Sequence, residues 1–166
     1  MNQRTRFLVH GALISAIYVV ITIAFAPISY GPVQVRISEM LTVLPFFTPA
    51  AIPGLFVGAM IANAYGGLGV IDVVAGSSAT LIAAVLTYKM NRKVLAPLPP
   101  VLVNAVIIGA MLTYLFQLPL VPTMLYVGFG QIVACYGLGY PFMVAMEKYG
   151  KHLFFIKTVE KKKVLS

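Results

Sequence analysis

The chain of 166 residues is 60% hydrophobic and only 10% charged, with a mean hydropathy of +0.95. Soluble domains carry about 45–50% apolar and about 25% charged residues, so this composition excludes an ordinary soluble domain and points to an integral membrane protein. The net charge of +8 comes from 12 Lys and Arg against 4 Asp and Glu; in so apolar a chain, clustered Lys and Arg mark cytoplasmic loops rather than a nucleic-acid surface.

The apolar runs are continuous, not alternating over about ten residues, which argues for membrane helices over a β-barrel. The first predicted span, 7–27, follows a basic head carrying Arg4 and Arg6. Ala24-Phe25-Ala26 has the form of a signal-peptidase site. The run nevertheless exceeds the roughly 7–15 residues of a signal core and further spans follow, so the expectation is a retained helix. Within it, "HGALISAIY" sets Ala12 and Ala16 four apart, with Gly11 and Ser15 alongside. Such a stripe of small residues lets helices approach closely, whether inside the bundle or against another protein. Residues Pro27 to Pro32 are expected to form a loop.

Residues 37–65 read either as one overlong helix or as two spans broken near Pro45, Pro49 and Pro53. Three further spans are expected at 70–89, 97–116 and 121–147, followed by a basic tail, 148–166. Charge parity chooses between the two readings. Lys89, Arg92 and Lys93 form one basic cluster, and Lys148, Lys151, Lys157 and Lys161 to Lys163 form another. Both share the cytoplasmic side with Arg4 and Arg6 only if residues 37–65 cross twice. The prolines supply the break, since each removes a backbone donor and disfavours helix in the residue before it. The expected fold is therefore an all-α membrane protein of six transmembrane helices (about 7–27, 36–48, 50–66, 70–89, 97–116 and 121–147). Both termini are cytoplasmic, and the chain forms one domain.

This topology brings two of the four acids and the one arginine remote from the basic clusters to the same outer end. Arg36 and Glu39 sit at the mouth of the second span, Asn63 in the last turn of the third, and Asp72 in the first turn of the fourth. Ionisable groups at the edge of a span are costly unless paired or functional. One reading is an i,i+3 ion pair between Arg36 and Glu39 on a single helix face. The other is a polar pocket, mostly apolar with a few placed polar groups, whose two carboxylates suit a ligand offering N–H donors or a positive charge. Tyr30, Tyr65, Tyr114, Phe116 and Tyr126 gather at that end, either as an interfacial belt or as a platform for a flat ligand. Asn104 and Gln131 lie deeper and would floor the pocket or bond across helices.

Other chemistry finds no motif. "GGLG" is not followed by the GK[ST] of a phosphate loop. His10 and His152 stand at cytoplasmic ends without a ligand cluster, so no metal or other cofactor is expected. No nucleophile–base grouping suggests an enzyme. The tail is expected to lie on the anionic inner leaflet. With no ATP-binding motif, energised transport would draw on an ion gradient or on partners.

The block "VQVRISEMLTVLPFFTPAAIPGLFVGAMIAN", followed by "GGLGVIDVVAGSSATLIAA", resembles the QueT family. These are substrate-binding S components of energy-coupling factor (ECF) transporters for queuosine precursors, and the resemblance covers nearly the whole chain. It implies a six-helix membrane protein with both termini inside, in a bacterial cytoplasmic membrane. Such a protein captures its substrate from outside. It then docks on one transmembrane coupling protein and two cytoplasmic ATPases. The family's AxxxA docking motif corresponds to Ala12 and Ala16. The implied cargo is a 7-deazaguanine, such as prequeuosine-1 or queuine. Glu39 would accept from its guanine-like edge and Asp72 would meet its aminomethyl cation, in either order. Arg36 and Asn63 would add polar contacts, and Tyr30, Tyr65, Tyr126, Gln131 and Asn104 would complete the lining. The competing expectations are an S component for another vitamin-like molecule, a solitary carrier with Asp72 or Glu39 as its coupling acid, or a membrane-embedded enzyme or assembly factor.

Overall fold

In lipid, a backbone must satisfy its own hydrogen bonds, and continuous apolar sequence does so as helix. The computed structural model describes residues 2–30 and 36–149, which contain helices and short connections and no strand. Residues 31–35 of the expected outer loop, and 150–166 of the expected basic tail with His152, lie outside the described residues.

Helix α1 runs Gln3–Ala24 and is followed by a single turn, α2, Ala26–Ser29. The sequence expectation of a loop from Pro27 is thus corrected. Proline at a first turn loses no hydrogen bond and presets the helical φ, so Pro27 starts a turn here rather than ending one. The next element, Ile37–Phe46, is a 3₁₀ helix rather than the α-helix expected over 36–48. Helix α3 follows at Ala51–Gly66, so the expected break falls at residues 47–50, between Pro45 and Pro53. Its end is fixed by Gly67 in the left-handed region, φ 75°, a conformation glycine adopts without steric cost. Helix α4 covers Val70–Lys89 and α5 covers Leu98–Phe116, with Pro99 and Pro100 in the first turn of α5. The last run combines α6 (Leu120–Gln131), a π-helical segment (Ile132–Gly139) and α7 (Tyr140–Tyr149).

Among the described residues, four runs are long and apolar enough to cross a membrane: Gln3–Ala24, Val70–Lys89, Lys93–Phe116 and Leu120–Tyr149. Ile37–Phe46 and Ala51–Gly66 are shorter apolar helices. Neighbours in sequence pack on one another from α3 through α6, while α1 lies on α3. The 3₁₀ helix is enclosed by α1, α4 and the π segment. One core cluster joins Ile14 and Tyr18 of α1 to Leu41, Val43 and Leu44 of the 3₁₀ helix and Leu55 and Ala59 of α3. A second joins Ala79 of α4 to Ile108, Met111 and Leu112 of α5 and Val127 of α6.

Packing between α1 and α3 depends on missing side chains. A Cβ at Gly54 would stand 2.5 Å from the Gly11 carbonyl oxygen, and one at Gly58 would stand 3.1 Å from the Ser15 carbonyl oxygen. Where lipid is as apolar as the helices, such close approach is what holds them together. The small-residue stripe therefore divides. Gly11 and Ser15 are buried against α3, whereas Ala12 and Ala16 are exposed. They line an open groove of about 600 Å³ with Pro53, Val57 and Ile61.

Candidate functional site

A 3₁₀ helix repeats every three residues, so side chains three apart eclipse one another. Arg36, Glu39 and Thr42 therefore form one column along Ile37–Phe46, with Arg36 at its N-cap. Ten residues in this form rise about 20 Å, where an α-helix would rise about 15 Å. Runs longer than about four residues are uncommon, and a ten-residue run marks a special segment. Pro45, which has no backbone donor, lies in its last turn.

At the top of the column, Arg36 turns towards the α3–α4 connection. Its Nη1 donates to Asn63 Oδ1 at 2.5 Å, and its Nη2 stands 3.9 Å from Asp72 Oδ2. Asn63 Nδ2 in turn donates to the Asp72 carbonyl at 3.2 Å. Gly76 makes room for this amide, since a Cβ there would run into Asn63 Nδ2. The guanidinium also lies over the Tyr30 ring, 5.4 Å from its centroid. Tyr30 donates to the Ala62 carbonyl at 2.5 Å, and partial burial raises its phenol above the ordinary pKa. Arg36, Asn63 and Asp72 are all buried. Even so, Arg36 Nε and Asp72 Oδ2 have no hydrogen-bond partner among the described residues.

One turn along the column, Glu39 faces a different set of groups. The Tyr18 hydroxyl donates to its Oε1 at 2.6 Å, and Asn104 Nδ2 donates to its Oε2 at 3.3 Å. The Glu39 carbonyl accepts from Thr42 Oγ1 at 2.6 Å and lies 3.6 Å from the Cys135 thiol of the π segment. That thiol is also 3.4 Å from Gln131 Oε1, which ties Gln131 to the same centre. Beside it, Thr22 donates to Ser38 Oγ at 2.6 Å. Glu39 is 2% exposed, so its carboxylate is held within the protein by two neutral donors.

The structure therefore gathers Arg36, Asn63, Asp72 and Tyr30 into one centre, and Glu39, Asn104 and Gln131 into a second. Of the two readings of Arg36 and Glu39, the ion pair is not formed among the described residues, because each finds its hydrogen-bond partners elsewhere. Tyr65 and Tyr126 are both 62% exposed, unlike the buried Arg36, Asp72 and Glu39. Sequence reasoning missed Tyr18, Thr42 and Cys135. Among the described residues, no group of three His, Cys, Asp or Glu is placed to hold a metal.

Burying a charge costs several kcal/mol unless it is paired or fully hydrogen-bonded. Two buried carboxylates thus meet neighbouring turns of one helix, one facing a cation and the other facing two neutral donors. A family model described as QueT transporter matches residues 8–148. The queuosine precursor transporter QueT of Lactococcus lactis subsp. cremoris (strain MG1363) is 37% identical over 83 residues, covering 49% of this chain and 48% of that protein. The chain thus spans about half the length of the curated relative it matches. No solved structure matches it. This multi-pass membrane protein belongs to the QueT transporter family.

Proposed function

We propose that the chain is the substrate-binding S component of an ECF-type importer. It captures a queuosine precursor, a 7-deazaguanine such as prequeuosine-1 or queuine, from outside a bacterial cytoplasmic membrane. The observation that carries the cargo is the pair of buried acidic centres on the 3₁₀ column. Asp72 Oδ2 and Arg36 Nε lack hydrogen-bond partners among the described residues, and Glu39, which accepts one bond on each oxygen from Tyr18 and Asn104, keeps acceptor capacity for further donors. Buried polar atoms without partners are rare, and each calls for an explanation; a bound ligand supplies one. Glu39 accepts from the guanine-like edge, Asp72 meets the aminomethyl cation, and Arg36 and Asn63 contact the ring carbonyl. The name of the Lactococcus relative supports the same substrate class.

The reading has six transmembrane helices, with the two shorter ones crossing between α1 and α4 and both termini cytoplasmic. The ion pair between Lys93 and Glu147 supports this, because it brings the second and third basic clusters to one end of the bundle. The groove along Ala12 and Ala16 is the surface for the transmembrane coupling protein, which two ATPases energise. Its apolar walls and small-residue floor suit a packed helix.

Calorimetry on detergent-purified protein tests the cargo. Prequeuosine-1 binds the wild type, while riboflavin and thiamine do not. Glu39→Gln loses about 1.5–3 kcal/mol of binding, the worth of a hydrogen bond to a charged group. Absence of prequeuosine-1 binding by the wild type would overturn the cargo, and unchanged binding by Glu39→Gln would overturn the site.

A further inference from the structure

Tyr18 lies in the middle of α1, 21 positions from Glu39 in sequence, and is completely buried. A phenol carries one proton, and here it is given to Glu39 Oε1 at 2.6 Å. Asn104 approaches the other carboxylate oxygen from α5 with an N–H group. Both neighbours are donors at these contacts, so the carboxylate acts as an acceptor on each oxygen. An ionised carboxylate has about four lone-pair sites; Tyr18 and Asn104 occupy one on each oxygen. Each oxygen keeps acceptor capacity beyond the bond it already makes. A planar ligand edge carrying two adjacent N–H donors can use both oxygens at once, which a single N–H donor cannot.

We infer that Tyr18 is a positioning residue: by fixing one oxygen of Glu39, it makes this carboxylate the reader of a ligand edge with two adjacent N–H donors. The inference rests on the function proposed above and divides the labour within it. Glu39 reads the flat edge, and the Arg36–Asp72 centre receives the charged substituent. The rest of the surroundings suits that task. Gly58 lets α1 approach α3 so closely that a Cβ there would stand 3.1 Å from Tyr18 Cβ, which leaves the ring little freedom to swing. The Glu39 backbone is braced by Thr42 and Cys135, so the carboxylate is steadied at both ends.

The test compares two ligands on three proteins. The ligands are prequeuosine-1 and its analogue lacking the exocyclic 2-amino group, which has one N–H donor fewer on the edge. Wild type binds prequeuosine-1 more tightly than the analogue. In Tyr18→Phe, prequeuosine-1 affinity falls about tenfold, as expected for a misaligned charge-assisted pair, while analogue affinity changes by less than about twofold. The selectivity ratio collapses. Asn104→Ala approaches the same carboxylate from the other side, gives the same pattern, and keeps the test open should Tyr18→Phe fail to fold. Equal losses for both ligands would mean that Tyr18 and Asn104 only support the structure, and would overturn the inference while leaving the cargo in place. Unchanged selectivity in both variants would overturn it as well. A wild type that binds neither ligand overturns the parent function and this inference together.

Discussion

The two polar centres stand one turn apart on the same 3₁₀ column and solve the burial of an acid in opposite ways. Asp72 is given a counter-charge but loose geometry, with 3.9 Å between charged atoms and unpartnered groups on both sides. Glu39 is given close geometry but no direct cation, its two oxygens capped by Tyr18 and Asn104. In the first centre, charge is balanced but the contact between the charged atoms is long. In the second, orientation is fixed and the charge meets two neutral donors instead of a counter-ion among the described residues. The first centre should therefore matter most to stability and the second to recognition.

The largest effect follows from breaking the charge balance. Arg36→Met leaves the Asp72 carboxylate buried without its cation, which costs about 3–5 kcal/mol of stability. Unfolding in detergent, followed by circular dichroism or intrinsic fluorescence, measures it. The double variant Arg36→Met with Asp72→Leu removes both charges and recovers most of that loss. If the single and double variants fall equally, the pair is not what stabilises this end of the bundle. Glu39→Gln keeps the size of the side chain and changes stability far less than Arg36→Met. Should it prove the more damaging of the two, the division of roles would be reversed.

A smaller effect tests whether Asn63 needs its precise place between the two charges. Gly76→Ala pushes a methyl group into Asn63 Nδ2, and overpacking of this kind costs about 1–3 kcal/mol. Gly137 in the π segment is the matched control, because a Cβ there meets nothing within 4 Å. Its replacement by alanine leaves ligand affinity unchanged and does not lower stability, since alanine favours the helix over glycine. Ala16→Leu probes the outer face of α1 in the same spirit. Leucine fills the groove without touching either centre, so ligand affinity stays within about twofold. If the groove is the docking surface proposed above, capture of the coupling module falls about tenfold or more, the equivalent of at least about 1.4 kcal/mol of lost packing. Parallel losses in ligand affinity and capture would show that the groove and the site are not separable.

Part of this arrangement was legible because charge is scarce. In an apolar chain with four acids, Glu39 and Asp72 stand out, and Asn63 and Arg36 stand out beside them. The break between the 3₁₀ helix and α3 was legible from its prolines, and the range of α4 from the glycines before it and the basic cluster after it. The conformation of Ile37–Phe46 was not. Distinguishing a period of 3.0 from 3.6 requires contrast between polar and apolar faces, and most of that segment is apolar. The same difference in helix type hid how Arg36 and Glu39 divide. Adjacent on one face, they read as a pair until the partners on α1, α3, α4 and α5 are in position. Tyr18 was hidden for another reason. A tyrosine in a membrane helix reads as core or interface, and only the packing of α1 against the 3₁₀ helix shows whose oxygen its proton meets. Tyr65 and Tyr126, read from the sequence as part of the lining, are both largely exposed.

The ion pair between Lys93 and Glu147 offers the smallest effect and the sharpest contrast with Arg36 and Asp72. Its side chains are 39% and 27% exposed, against 8% and 1% for the buried pair. Although its charged atoms are closer together, water screens them and the long lysine chain loses rotamer freedom in the contact. Pairs of this kind are worth about 0–1 kcal/mol. Lys93→Ala is accordingly expected to lower stability by no more than about 1 kcal/mol, and about 1 M salt, where the screening length is about 3 Å, should remove most of that difference. The loss in Arg36→Met should persist at the same salt, because little solvent reaches the buried pair. A salt-sensitive Arg36 effect would mean that water and ions enter the first centre freely. The unpartnered Nε and Oδ2 atoms would then be satisfied by solvent rather than kept for a ligand.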